Sequence, residues 1–95
     1  MVKYNPEKMR LETVETSIPL TRKESELYTY LLERKGKVCA YDDILLAVWT
    51  ENTESNVLTV YVKYLRQKLN KMGVPGDHHI QTVRGDGYKL VELGR

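Results

Sequence analysis

From Ser55 to Met72 the chain reads SNVLTVYVKYLRQKLNKM, with no glycine or proline, and it is closed off by Gly73 and Pro75. Leu58, Val62, Leu65 and Leu69 recur at i, i+4, i+7 and i+11, so on a helix they form one apolar stripe that requires a core to face. The rest of this helix carries Asn56, Thr59, Lys63, Arg66, Gln67, Lys68 and Lys71 interleaved with Val57, Val60, Tyr61 and Tyr64. A face meant only for water has no use for those valines and tyrosines. Basic groups mixed with aromatic and small apolar ones suit phosphates and the edges of bases, which points to double-stranded DNA as the partner.

The distribution of charge supports that expectation. The formal net charge is only +2. Residues 1–54 hold eight basic and ten acidic side chains, residues 77–95 hold three of each, and residues 55–76 hold four basic and none acidic. A solvated lysine-rich face would normally scatter Glu among the Lys for i,i+4 pairing. Concentration of positive charge on one helix is the footprint of a groove-binding element.

Ninety-five residues, 41% hydrophobic and 29% charged, suit one ordinary globular domain spanning residues 1–95. No apolar run approaches the roughly 20 residues needed to cross a bilayer, and nothing at the start resembles a signal peptide, so a cytoplasmic location is expected. The one cysteine, Cys39, excludes an internal disulfide framework and reads as a buried, inert thiol within Val38-Cys39-Ala40. The pair His78-His79 has no Cys or carboxylate beside it at zinc-ligand spacing, so no metal is expected. There is no glycine-rich phosphate loop and no nucleophile–base constellation, so neither an enzyme nor a cofactor is expected.

In chain order, Val2–Tyr4, Met9–Glu12 and Thr16–Leu20 read as short strands of a small antiparallel sheet, with a turn at Asn5-Pro6-Glu7-Lys8. Thr21 and Glu24 form a capping box, so a helix starts at Thr21, buries Leu27, Tyr28, Leu31 and Leu32, and stops at Gly36. Lys37-Val38-Cys39 reads as a link. A second helix runs from about Tyr41 to Trp49, with Asp42 and Asp43 favouring its N-terminal dipole end and Ile44, Leu45, Val48 and Trp49 on its apolar face. A short polar link follows, with Ser55 or Thr53 able to cap the third helix. A short helix, a link and a basic amphipathic helix make a helix-turn-helix layout, in which the second of the pair enters the groove. Gly76 to His79 reads as a loop. His79–Val83 and Tyr88–Leu93 read as a hairpin around Arg84-Gly85-Asp86-Gly87, whose two glycines tolerate positive φ, with Ile80, Tyr88 and Leu90 facing inward. The fold class is therefore α+β: a small antiparallel sheet, three helices and a C-terminal hairpin.

The segments LTRKESELYTYLL (Leu20–Leu32), VCAYDDILLAVW (Val38–Trp49), NVLTVYVKYLRQKL (Asn56–Leu69) and IQTVRGDGYKL (Ile80–Leu90) resemble the OmpR/PhoB type of winged-helix effector domain, the DNA-binding output domain of two-component response regulators in bacteria. The resemblance implies a winged helix-turn-helix whose third helix reads the major groove while the hairpin wing reaches the minor groove. It places Asn56, Val60 and Tyr64 at base-reading positions, Tyr61, Lys63, Arg66 and Thr82 at phosphate-contacting positions, and Arg84 at the wing arginine. It implies contact with RNA polymerase through residues 50–55, and tandem or dimeric binding on DNA. If four to six phosphates are neutralised, log K falls with log salt at a slope of about −4 to −5. Asn56 and Tyr64 stand where many members carry Arg, Ala40 replaces a hydroxyl helix cap, and Ser25 replaces an apolar residue. Relative to the family pattern the first strand is absent, as is any receiver domain with a phosphorylatable aspartate, so an excised domain is expected, with a stand-alone regulator as the alternative. Two other expectations compete: the DNA-binding domain of a membrane-tethered one-component activator, and a winged-helix module that binds protein.

Overall fold

The computed structural model describes residues 2–49 and 56–93. Three short strands open the chain: β1 (Lys3–Asn5), β2 (Arg10–Glu12) and β3 (Ser17–Pro19), antiparallel and in that order. They lie within a residue or two of the expected positions. The β1–β2 turn is held by the Lys8 amide donating to Asn5 Oδ1 at 3.2 Å, the side-chain-to-backbone bond that makes Asn a turn former. Leu11, in the middle strand, is buried, and Tyr4 packs on Tyr28 of the first helix with ring centroids 5.4 Å apart. Ser25 turns its unusual polarity to use here: its hydroxyl is hydrogen-bonded to the Tyr4 hydroxyl, which also accepts from Thr29 Oγ1 at 3.2 Å.

Helix α1 (Arg22–Glu33) starts on the capping box that Thr21 and Glu24 encode, with Glu24 N donating to Thr21 Oγ1 at 3.2 Å and Thr21 N donating to Glu24 Oε1 at 2.8 Å. Its end is covered by Arg34, which stacks on the Tyr30 ring at 3.8 Å and donates to Tyr30 O at 3.0 Å. Helix α2 (Tyr41–Trp49) follows. Lys23 of α1 caps its last turn, donating to Val48 O at 2.7 Å, where a cation also meets the negative end of the helix. At the other end the Tyr41 amide donates to Asp86 O at 3.3 Å, so the hairpin turn supplies an acceptor beside the position where Ala40 lacks a hydroxyl.

Helix α3 (Asn56–Lys71) is the long one, and its stripe of Leu58, Val62, Leu65 and Leu69 is wholly buried. The core they enter is made of Leu27, Tyr28 and Leu31 from α1, Ile44 and Val48 from α2, and Ile80, Tyr88 and Leu90 from the hairpin. The cap expected at Ser55 or Thr53 lies outside the described residues.

Two local expectations are corrected. The supposed link at Lys37–Cys39 contains a strand, β4 (Val38–Ala40), which pairs antiparallel with the second hairpin strand. Three residues are too few to display a period of two, so nothing local announces it. The supposed loop at Gly76–His79 is a one-turn helix, α4, entered after Pro75 and linked back to α3 by Gly76 N donating to Asn70 Oδ1 at 2.8 Å. The hairpin, β5 (Ile80–Val83) and β6 (Gly87–Leu90), gives the second sheet the order β4-β6-β5. Of its two glycines only Gly85 takes a positive φ, +83°. Gly87 serves a different purpose: a Cβ there would lie 1.8 Å from Cys39 O, so glycine is what lets β4 close on β6. Ile80, Tyr88 and Leu90 face inward as expected.

Candidate nucleic-acid interface

Burying one stripe of α3 fixes which residues the opposite face shows. Asn56, Thr59, Val60, Lys63, Tyr64, Gln67 and Lys71 are exposed. Among them Val60 keeps 37% and Tyr64 44% of its surface in water, the large apolar side chains of this face. Apolar groups of this kind suit contact with thymine methyls. Tyr61 is half-buried. Its ring stands edge-on to Trp49 at 5.3 Å and to Tyr64 at 5.6 Å, so an aromatic chain ties the end of α2 to the middle of α3.

The four basic residues of residues 55–76 do not form one common surface. Lys63 and Lys71 are exposed. Lys68 instead donates to Glu24 Oε1 at 2.5 Å and to Pro19 O at 3.0 Å, an ion pair in which the carboxylate side chain is only 4% exposed. Arg66 donates from Nε to Ile80 O at 2.9 Å and from Nη2 to Ile80 O at 2.5 Å and Thr82 Oγ1 at 2.9 Å. The missing acidic partner of the helix is therefore Glu24 of α1, far away in sequence. No i,i+4 pattern could have revealed it.

The wing presents Arg84 and Thr82 to solvent. Arg84 begins a three-residue turn closed by Asp86 N donating to Val83 O at 2.9 Å, with Gly85 in the left-handed region where a side chain would be strained. The bonds from Arg66 to Ile80 and Thr82 set β5 beside the middle of α3, so the exposed helix face and the wing are adjacent elements.

Other sites hold little chemistry. His78 is exposed, whereas His79 is buried between Tyr28 and Val91. Among the described residues no group of three or more His, Cys, Asp or Glu side chains could hold a metal, and no helix is long and apolar enough to cross a membrane. Cys39 is buried, and burial pushes its thiol pKa up, so the thiolate is disfavoured.

Comparison with known proteins fits this geometry. Residues 15–90 match the family model described as "Transcriptional regulatory protein, C terminal". The chain is 36% identical over 86 residues to the transcriptional regulatory protein YxdJ of Bacillus subtilis, covering 88% of this chain and 37% of that protein. It is 44% identical over 75 residues to the response regulator ArlR of Staphylococcus aureus, covering 77% of this chain and 33% of that one. The chain thus spans about a third of the length of these relatives. Its fold matches the DNA-binding domain of the response regulator AdeR, solved in complex with an intercistronic region, with TM-score 0.83 at 18% identity, over 97% of this chain and 95% of that one. The chain accordingly belongs to the transcriptional regulatory protein C-terminal family, as a winged-helix DNA-binding effector domain of the OmpR/PhoB response-regulator type.

Proposed function

We propose that this domain binds double-stranded DNA in a sequence-specific manner, with α3 in the major groove and the β5–β6 wing over an adjacent minor groove, as the transcription-regulating output domain of a response regulator. The observation that carries it is the exposed face of α3, where Asn56, Val60, Lys63 and Tyr64 lie together in water opposite a fully buried stripe. In this assignment Asn56 pairs with a base edge through its amide, Val60 packs on a thymine methyl, and Tyr64 covers a base with its half-exposed ring. Lys63, the Tyr61 hydroxyl and the Thr82 hydroxyl take phosphates, which fixes register without reading sequence. Arg84 enters the minor groove, where a narrow A·T-rich segment concentrates negative potential. Contact of residues 50–55 with RNA polymerase and tandem binding on DNA are supported by the family resemblance. The family is one of DNA-binding domains rather than enzymes.

With Lys68 and Arg66 bonded to other parts of the protein, Lys63, Lys71 and Arg84 are the exposed cations of α3 and the wing turn among the described residues. Three cations that each displace a counterion from the duplex give a slope of log K against log salt of about −3, shallower than the sequence suggests. Selection of bound sequences from a random duplex pool, followed by a salt titration on the selected site, tests this. An enriched half-site and a slope near that value are expected. Failure to bind any duplex at low ionic strength would overturn the assignment.

A further inference from the structure

We infer that Arg66 is a positioning residue, which locks the wing to the recognition helix and aims the Thr82 hydroxyl, rather than a side chain that itself neutralises a phosphate. This rests on the DNA-binding function proposed above. Arginine has five N–H donors in a rigid fork. Here Nε and Nη2 both reach Ile80 O, at 2.9 and 2.5 Å, and Nη2 also reaches Thr82 Oγ1 at 2.9 Å. The guanidinium carbon lies 5.8 Å from the centroid of Tyr88, on the neighbouring strand, so the cation is also drawn to that ring. Its partners are firm ones: Ile80 and Tyr88 are core residues.

The backbone of Arg66 is equally constrained. A Cβ added at Gly76 would lie 2.5 Å from Arg66 O and 2.7 Å from Arg66 Cα, so α3 is backed directly against the start of α4 at this residue. Helix and side chain are thus held from two directions, by α4 behind and by the wing beside. Lys63, less than one turn earlier, is exposed and makes no comparable bond to the wing. A flexible ammonium serves a phosphate well; a fork bound to its own wing serves geometry.

Thr82 gives this geometry a purpose. Its Oγ1 accepts from Arg66, and the residue is exposed on the strand, so its own O–H is free to donate outward. The position of Oγ1 is fixed by a charged neighbour and by the stiff χ1 of a β-branched side chain, which leaves the O–H to donate outward. A phosphate oxygen is the acceptor that fits it. Arg66 therefore acts on DNA through Thr82 and through the angle at which the wing carries Arg84.

The experiment compares the wild-type protein with Arg66→Lys, Arg66→Gln, Thr82→Val and the Arg66→Gln/Thr82→Val double variant. Dissociation constants on the selected duplex are measured over a salt series, and amide hydrogen exchange is followed in the free proteins. A phosphate anchor would let Arg66→Lys keep its affinity, and Arg66→Gln would make the salt slope shallower by about 0.9. A positioning role instead predicts that Lys and Gln each weaken binding about tenfold, the scale of lost hydrogen bonds to a charged group, with the salt slope unchanged. The double variant should lose little beyond Arg66→Gln alone, because both changes break one linkage. In the free protein, the Thr82 and Tyr88 amides should exchange faster in both Arg66 variants while those of Leu27 and Leu31 do not.

Retained affinity in Arg66→Lys, a shallower slope in Arg66→Gln, fully additive losses, or unchanged exchange in the wing would each overturn the inference. Equal loosening of α1 would also overturn it, by showing a general role in stability. If the wild-type domain bound no duplex, the DNA-binding function would fall, and hydrogen exchange would still decide whether Arg66 holds the wing.

Discussion

His79 is 3% exposed and makes two bonds that settle its tautomer. Val91 O can only accept, so Nδ1 carries the proton and donates across 2.7 Å; Nε2, 2.8 Å from the Tyr28 hydroxyl, is then the acceptor. The adjacent histidines thus have no shared chemistry: one is a core residue joining α1, α4 and the segment after β6, the other a surface residue. Burial lowers the pKa of His79, and burial raises that of Tyr28 above the usual tyrosine range. A histidine held neutral in the fold binds its proton more readily in the unfolded chain. Stability is therefore full above the unfolded pKa of about 6.5 and is lost as pH falls below it towards the folded value. Urea denaturation between pH 8 and pH 5 should show a declining midpoint. His79→Gln should flatten that decline and cost about 1–2 kcal/mol at pH 8, through weakened buried hydrogen bonds. A midpoint independent of pH in the wild type would contradict this account.

At the level of elements, α1 and α3 are joined by more than apolar packing. Glu24 has two partners: it closes the capping box at the start of α1 and receives Lys68 from α3. The lysine side chain keeps 26% of its surface exposed, so water screens part of the attraction and the value for a deeply buried pair does not apply. Lys68→Met should destabilise the domain by about 1–2 kcal/mol in urea titrations, while the slope of DNA affinity against salt stays as it is in the wild type. A shallower slope would place Lys68 on a phosphate instead. The capping box, the helix stripes and the hairpin were all legible in the sequence, because each depends on neighbours within a turn or a tight loop. Strand β4 was not, since Val38–Ala40 becomes a strand only by pairing with β6, nearly fifty residues later.

The molecule as a whole sets a helix face and a turn side by side. Its principal extents are 38 × 25 × 20 Å, small enough for α3 and the wing to address one stretch of duplex. Arg84 stands on a turn whose shape Gly85 permits, apart from the helix, so its loss should be separable from loss of the helix contacts. Arg84→Ala should weaken binding by about 1–3 kcal/mol, and most at sites flanked by A·T pairs, as measured by titration of duplexes that differ only in the flanks. The same loss at G·C-rich flanks would remove the minor-groove role.

By itself, the sequence determined the three longer helices and the hairpin, the apolar stripe that α3 buries, and which face of α3 stayed in water. Periodicity, caps and turn residues act over a few positions, and those are visible in order along the chain. Only the tertiary structure decided what the charges on α3 do. Lys63 and Arg66 sit three residues apart on one helix, yet the first faces water while the second is bound to Ile80 and Thr82. Lys68 belongs to Glu24. The physical reason is reach: a long cationic side chain is claimed by whichever acceptor folding brings within hydrogen-bonding distance, and those acceptors came from a helix and two strands that lie 14 to 49 residues away in sequence.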